Sequence, residues 1–210
     1  IIFDLDGTLL NTLADLAAAT NYALAEHKLP QRTTDEVRLF VGNGIRKLIE
    51  RAVPADTPAE LQEEVFASFN RYYKQHCADS TRPYDGVPQL LQQLRTAGCR
   101  TAIVSNKADY GVQALAKQYF DGQLDAACGE RAGIAKKPAP DMLLAIMQQL
   151  KAEPASTIYI GDSDTDIATA SNAGVDCIGA CWGFRGRVFL EAHGAKLLAE
   201  NVGDIWELIK

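Results

Sequence analysis

The sequence predicts an α/β protein, a parallel sheet flanked by helices, with an all-helical segment inserted after the first strand. Three observations carry this. Beyond Pro83, short apolar runs alternate with helical patterns, the order that builds right-handed βαβ units. Between about Leu13 and Ser80 the apolar period is helical throughout. The apolar runs Ile1–Phe3, Arg100–Asn106 and Thr157–Gly161 each lead into polar or acidic residues, as strands do when their carboxyl ends open on a ligand site.

Ile1, Ile2 and Phe3 are expected as a buried strand halting at Asp4, Asp6 and Gly7. Thr12 stands three residues before Asp15 in a capping-box-like spacing. Leu13, Leu16, Ala17, Thr20, Ala23 and Leu24 then follow the helical period, and Pro30 ends the segment. A second helix begins at Thr33 or Thr34 and stops at Gly42-Asn43-Gly44; a third runs from Ile45 to Val53, and a fourth from near Thr57 to about His76. Residues 13–82 are thus expected as a helical domain placed to act as a lid, and residues 1–12 with 83–210 as the core.

In the core, Pro88 in the first turn and Gly98 just past the end delimit a helix. Arg100–Asn106 is a strand, Tyr110–Tyr119 a helix, Leu124–Cys128 a strand and Pro140–Leu150 a helix. Thr157–Gly161 is another strand, followed by a helix over Thr165–Ala173 that Gly174 stops. The run V-D-C-I-G-A-C-W-G is the last clear strand, and Val202–Lys210 a closing helix.

Length and composition exclude several functions. The 210 residues fit one sizeable domain or two modest ones, and 47% hydrophobic content supplies a core. A net charge of −6 argues against nucleic acid and anionic membranes as partners. Any anionic substrate must be met by local positive charge. Five scattered cysteines without a C-x-x-C pair suit a reducing, cytoplasmic setting. No basic leader or membrane-length apolar run is visible, so a soluble chain is expected, and the absence of an initiating methionine implies that residues precede Ile1. Oligomeric state is not legible; monomer and homodimer both fit.

Four strand ends or following loops share a theme: Asp4 and Asp6; Ser105 and Asn106; Lys136 and Lys137 before Pro138; and Asp162, Ser163, Asp164 and Asp166. In a parallel sheet these converge on one edge. An Asp-Gly pair alone is a common surface turn. Several carboxylates in one pocket repel, by about 4 kcal/mol for a partly shielded pair 4 Å apart, and need a cation. Hard oxygen donors suit Mg²⁺, whereas His27, His76 and His193 show no zinc-ligand spacing. Ser105 and Asn106 would bind anion oxygens, a lysine would supply a point charge, and the Gly7 and Thr8 amides would add an anion cradle. Metal, hydroxyl, amide and ammonium together describe a phosphoryl site, and an aspartate can serve as its nucleophile.

These residues resemble the haloacid dehalogenase superfamily of phosphohydrolases, whose four motifs appear in order as F-D-L-D-G-T-L, V-S-N, K-P and G-D-S-D-T-D. The resemblance implies a Rossmannoid core with a small C1-type helical cap. It also implies Asp4 as nucleophile, Asp6 as general acid/base, Ser105 on the phosphate and Lys137 orienting both. Asp162 would ligate Mg²⁺ beside Asp4 and the Asp6 carbonyl, with Asp166 in support. Asp164 is better read as a helix N-terminal acid, and Lys136 as solvated. The insert resembles the cap of the phosphoglycolate phosphatase and β-phosphoglucomutase group. There V-G-N-G-I-R would form a specificity loop, with Arg46 pairing with a substrate carboxylate or distal phosphate. Lys107 is a further residue that could face the site. The expected activity is Mg²⁺-dependent hydrolysis of a small phosphorylated metabolite, 2-phosphoglycolate first among them, through an aspartyl-phosphate. A sugar-phosphate mutase would share nearly all these motifs. A dehalogenase would not need Asp6, a phosphonate hydrolase needs a cap lysine as Schiff base, and a receiver-type phosphoacceptor domain has no use for the insert.

Overall fold

The computed structural model describes residues 1–210. Its main sheet has six strands: β1 (Ile2–Phe3), β4 (Ala102–Ala108), β5 (Ala126–Glu130), β6 (Ile158–Gly161), β7 (Asp176–Ala180) and β8 (Leu197–Ala199). Their order is β5-β4-β1-β6-β7-β8, and each neighbouring pair is parallel. β1 is only two residues long but central: Ile2 stands opposite Ala102 and Tyr159, and Phe3 opposite Ile103 and Ile160. Strand order reverses beside β1, which makes the carboxyl end of that strand the crevice where an open α/β sheet binds ligands.

Helices α5 (Val87–Thr96), α6 (Asp109–Phe120), α7 (Asp141–Leu150) and α8 (Asp164–Ala173) connect the strands. Pro88 lies in the first turn of α5, where its missing N–H is no loss, and Gly98 follows with φ 78°. One layer of the core packs Met142, Leu143, Ile146 and Met147 of α7 on Ile2, Ala102, Val104 and Tyr159. β4 runs two residues past Asn106, and its register against β5 shifts between Val104 and Ala108: four residues of β4 advance against two of β5. Such a bulge re-aims side chains, here Ser105, Asn106 and Lys107.

Helix α9 (Gly186–Ala192), strand β8 and α10 (Asp204–Ile209) complete the core. The sequence left α9 and β8 unassigned, since A-K-L-L-A-E reads as helical and β8 is a three-residue edge with Leu197 exposed. Two-residue strands β2 (Leu10–Asn11) and β3 (Arg82–Pro83), also unforeseen, pair in a separate ribbon.

The chain divides into two compact units, Ile1–Asn11 with Pro83–Lys210, and Thr12–Arg82. The second is built from α1 (Leu13–Glu26), α2 (Thr34–Phe40), α3 (Ile45–Ala52) and α4 (Ala59–His76) around Leu16, Leu24, Val37, Ile49, Val65 and Phe69. Thr33 and Glu36 form a reciprocal capping box on α2. The similar spacing of Thr12 and Asp15 does not: the Thr12 side chain makes no cap bond. Asp15 is buried and accepts instead from Ser80 N, Thr81 N and Thr81 Oγ1 at 2.7–3.1 Å. It ties the end of the helical segment back to its first helix, and those long-range donors outcompete a local cap.

Candidate active site

Asp4 comes directly after β1, its N–H bonded to the Ile160 carbonyl at 2.8 Å. Asp162 comes directly after β6, and Asp166 is the third residue of α8. One carboxylate oxygen from each of Asp4, Asp162 and Asp166 lies within 4.8 Å of the others, and all three residues are buried. Lys137 enters from the loop after β5. Its ammonium lies 2.8 Å from Asp4 Oδ1 and 2.7 Å from Asp166 Oδ1, and donates to Tyr159 Oη at 2.9 Å. Tyr159 in turn donates to the Val104 carbonyl at 3.0 Å.

Asp166 is fully committed. Oδ1 takes Lys137 and lies 3.1 Å from Tyr159 Oη, while Oδ2 takes the N–H and hydroxyl of Ser163 in a capping box at 3.1 and 2.6 Å. Asp164 occupies the first turn of α8, where an acid complements the helix dipole. Asp162 Oδ2 accepts from Phe184 N at 2.7 Å, and Oδ1 stands 3.4 Å from the Thr8 hydroxyl. Asp4 Oδ1 is buried, and its one close partner is the Lys137 ammonium at 2.8 Å.

Burial pushes the Asp4 carboxyl up to about 6; Lys137 opposes the rise and the charge of Asp166 adds to it. Burial likewise drives Asp162 well above the usual carboxylate range, reinforced by Asp166 and Asp4. For Lys137, burial works against the charged form, but Asp166 and Asp4 overcome it and hold the ammonium protonated. Three buried carboxylates against one ammonium leave excess negative charge. With an oxygen-only donor set and more carboxylate charge than the lysine balances, this cluster fits a hard divalent cation. Asp166 is the most heavily hydrogen-bonded of the three, which leaves Asp4 and Asp162 the better placed to hold it.

Other expected contacts fall differently. The Gly7 and Thr8 amides do not form an anion cradle, because the tight turn uses them: Gly7 N bonds Leu10 O at 2.9 Å and Thr8 N bonds Leu5 O at 3.3 Å. Gly7 instead allows close approach, with φ 90° and Asp162 Oδ2 only 2.4 Å from where a Cβ would stand. The Asn106 amide spans the Lys137 backbone, giving to its carbonyl at 3.0 Å and accepting from its N–H at 2.8 Å. Asn106 therefore places the lysine. Ser105 Oγ accepts from Lys107 N at 3.3 Å and keeps its own proton to donate. Asp6 is held by Lys107. Lys136 is half-buried, its ammonium 3.7 Å from Glu130. Arg46 belongs to the helical unit, where its guanidinium pairs with Glu63 and lies 4.4 Å from the Phe66 ring centre. The adjoining turn is stitched by Arg51, which reaches Phe40 O and Asn43 Oδ1, each at 2.8 Å.

A fifth loop escaped the sequence reading. After β7, Trp182 Nε1 donates to Thr8 O at 3.0 Å, and Phe184 N is the donor on Asp162. A Cβ on Gly183 would stand 2.2 Å from Asp162 Cβ, so only glycine fits between them. Tyr84 is a second omission: burial raises its phenol pKa, and the charges of Asp162 and Asp6 raise it further.

Residues 1–180 match the family described as haloacid dehalogenase-like hydrolase. A phosphoglycolate phosphatase from Aquifex aeolicus (strain VF5) is 32% identical over 189 residues, covering 88% of this chain and 85% of its own. The N-acetylmuramic acid 6-phosphate phosphatase of Pseudomonas aeruginosa is 29% identical, covering 100% of this chain and 93% of its own. Among solved structures, a candidate phosphoglycolate phosphatase from Lactobacillus delbrueckii subsp. bulgaricus superposes with a TM-score of 0.95 at 35% identity, over 99% of this chain and 96% of that one. The chain belongs to the haloacid dehalogenase-like hydrolases, as a phosphoric monoester hydrolase resembling the phosphoglycolate phosphatases.

Proposed function

We propose that the enzyme is a Mg²⁺-dependent phosphatase of 2-phosphoglycolate that works through an aspartyl-phosphate on Asp4. The observation that carries this is the placement of Asp4, a buried carboxylate at the carboxyl end of the central strand, 2.8 Å from the Lys137 ammonium and clustered with Asp162 and Asp166. In this reading the Asp4 carboxylate attacks phosphorus and the ester P–O bond breaks. Asp6 gives its proton to the leaving oxygen, then takes one from the water that hydrolyses the acyl-phosphate. Lys137 holds Asp4 in place and neutralises phosphoryl oxygen, and the Ser105 hydroxyl donates to that group. A Mg²⁺ held by Asp4, Asp162 and the Asp6 carbonyl would offset the charge of the transferring phosphoryl group.

The substrate assignment rests on relatives such as the Aquifex aeolicus phosphoglycolate phosphatase. The N-acetylmuramic acid 6-phosphate phosphatase, aligned over the whole chain, supports a second reading. A steady-state panel with Mg²⁺ separates them, using 2-phosphoglycolate, N-acetylmuramic acid 6-phosphate, hexose phosphates, nucleoside monophosphates, pyrophosphate and p-nitrophenyl phosphate. The expected result is a kcat/KM for 2-phosphoglycolate at least about tenfold above every other compound, a margin worth roughly 1.4 kcal/mol of transition-state binding. If it is no better than p-nitrophenyl phosphate, the substrate assignment is wrong while the enzyme class stands.

A further inference from the structure

We infer that Lys107 is a positioning residue that holds the Asp6 carboxylate in line for proton transfer to the leaving group. The inference rests on the reading of Asp6 as general acid. Lys107 Nζ lies 3.1 Å from Asp6 Oδ1 and 3.4 Å from Oδ2, so one ammonium reaches both oxygens. The lysine side chain is 3% exposed against 15% for Asp6. A buried lysine is costly unless paired, and this one is threaded to its partner by the fold. The register shift in β4 falls across Ser105–Lys107, and the Lys107 N–H lies 3.3 Å from Ser105 Oγ. Gly111 of α6 flanks the stem: a Cβ there would stand in ordinary van der Waals contact with Lys107 Cε at 3.4 Å and Cδ at 3.6 Å. Two groups the reaction needs, the Ser105 hydroxyl and the Asp6 carboxylate, are therefore fixed through a single residue. Lys137 cannot serve in its place, being shared among Asp4, Asp166 and Tyr159.

Leaving-group dependence of kcat/KM tests this, because that parameter reports the first phosphoryl transfer. An alkyl phosphate needs a proton on its departing oxygen; p-nitrophenolate leaves without one. Lys107→Met keeps the buried stem and removes the cation. Its kcat/KM is expected to fall about 10- to 100-fold on 2-phosphoglycolate, part of the 10²–10⁴ that a positioned acid contributes, and less than threefold on p-nitrophenyl phosphate. Equal losses on both substrates, or no loss on either, would overturn the inference. Asp6→Asn in the same assay must show the same split; if it does not, the reading of Asp6 itself fails. In the Asp6→Asn background, Lys107→Met is expected to cost nothing further on the alkyl ester, whereas a purely structural lysine would cost the same again. Should Lys107→Met fold poorly, Lys107→Arg answers the same question: it keeps a cation but misplaces its donors, so the alkyl ester is expected to suffer more than the aryl ester.

Discussion

Asp4 and Asp162 are carboxylates kept where water cannot relieve them, and that is a chemical arrangement with a thermodynamic signature. Their pKa values are raised by folding, to about 6 for Asp4. A carboxyl whose pKa is raised on folding binds its proton more tightly in the folded chain. The metal-free protein therefore loses stability as pH rises from the unfolded value near 4 through about 6. In the proposed site a divalent cation would bind the ionised pair, so Mg²⁺ should recover what the rise in pH removes. In thermal melts without metal, the midpoint is expected to be lower at pH 7.5 than at pH 5.5. Mg²⁺ at about 100 times its dissociation constant adds roughly 2.7 kcal/mol, a rise of about 5–10 °C in a chain of this size, larger at the higher pH. A midpoint that rises with pH in the absence of metal, or that Mg²⁺ leaves unmoved, would show that the cluster is not the cation site. Lys137 does not replace the cation, since its single charge is already divided between Asp4 and Asp166.

At the scale of elements, the site is assembled by the residues just beyond each strand rather than by the strands themselves. The sequence shows this best where a short apolar run stops at a carboxylate, as Phe3 to Asp4 and Gly161 to Asp162, because hydrophobic period and charge change together there. It shows it poorly where backbone does the work. The Gly7 and Thr8 amides are spent inside the Leu5–Leu10 turn, and the Asn106 amide is spent on Lys137, which residue type alone does not reveal. The Phe184 N–H on Asp162 has no side-chain signature either; the glycine of W-G-F was its only trace. Lys107 stands out in the sequence for its place in S-N-K, but its grip on Asp6 depends on a β4 register shift that no local pattern encodes. Gly183→Ala tests the fifth loop. The added Cβ must displace Asp162 or the Gly7 carbonyl 2.5 Å away. Overpacking of this kind costs about 1–3 kcal/mol of stability, and a misplacement near 1 Å costs on the order of 10²-fold in rate. Steady-state kinetics within threefold of the parent enzyme would mean that this loop does not position the site.

Across the whole molecule, a chain of net charge −6 handles an anionic ester without a favourable global field. In the proposed site attraction is local: the buried ammonium groups of Lys137 and Lys107 stand at one edge of one sheet among the aspartates, and a cation held by Asp4 and Asp162 would offset the remaining negative charge. The helical unit keeps a separate core and closes its own ends through Asp15. No helix is long and apolar enough to cross a membrane. The proposed chemistry requires above all a covalent bond between Asp4 and phosphorus, and acid-quenched pre-steady-state turnover of 2-phosphoglycolate with Mg²⁺, then proteolysis and mass spectrometry, looks for it directly. The expected result is a single phosphoryl group on the peptide carrying Asp4, formed at least as fast as steady-state turnover and absent from an inactive, folded Asp4→Asn variant. A phosphoryl group on another residue, or an Asp4→Asn variant that still turns over, would contradict the account.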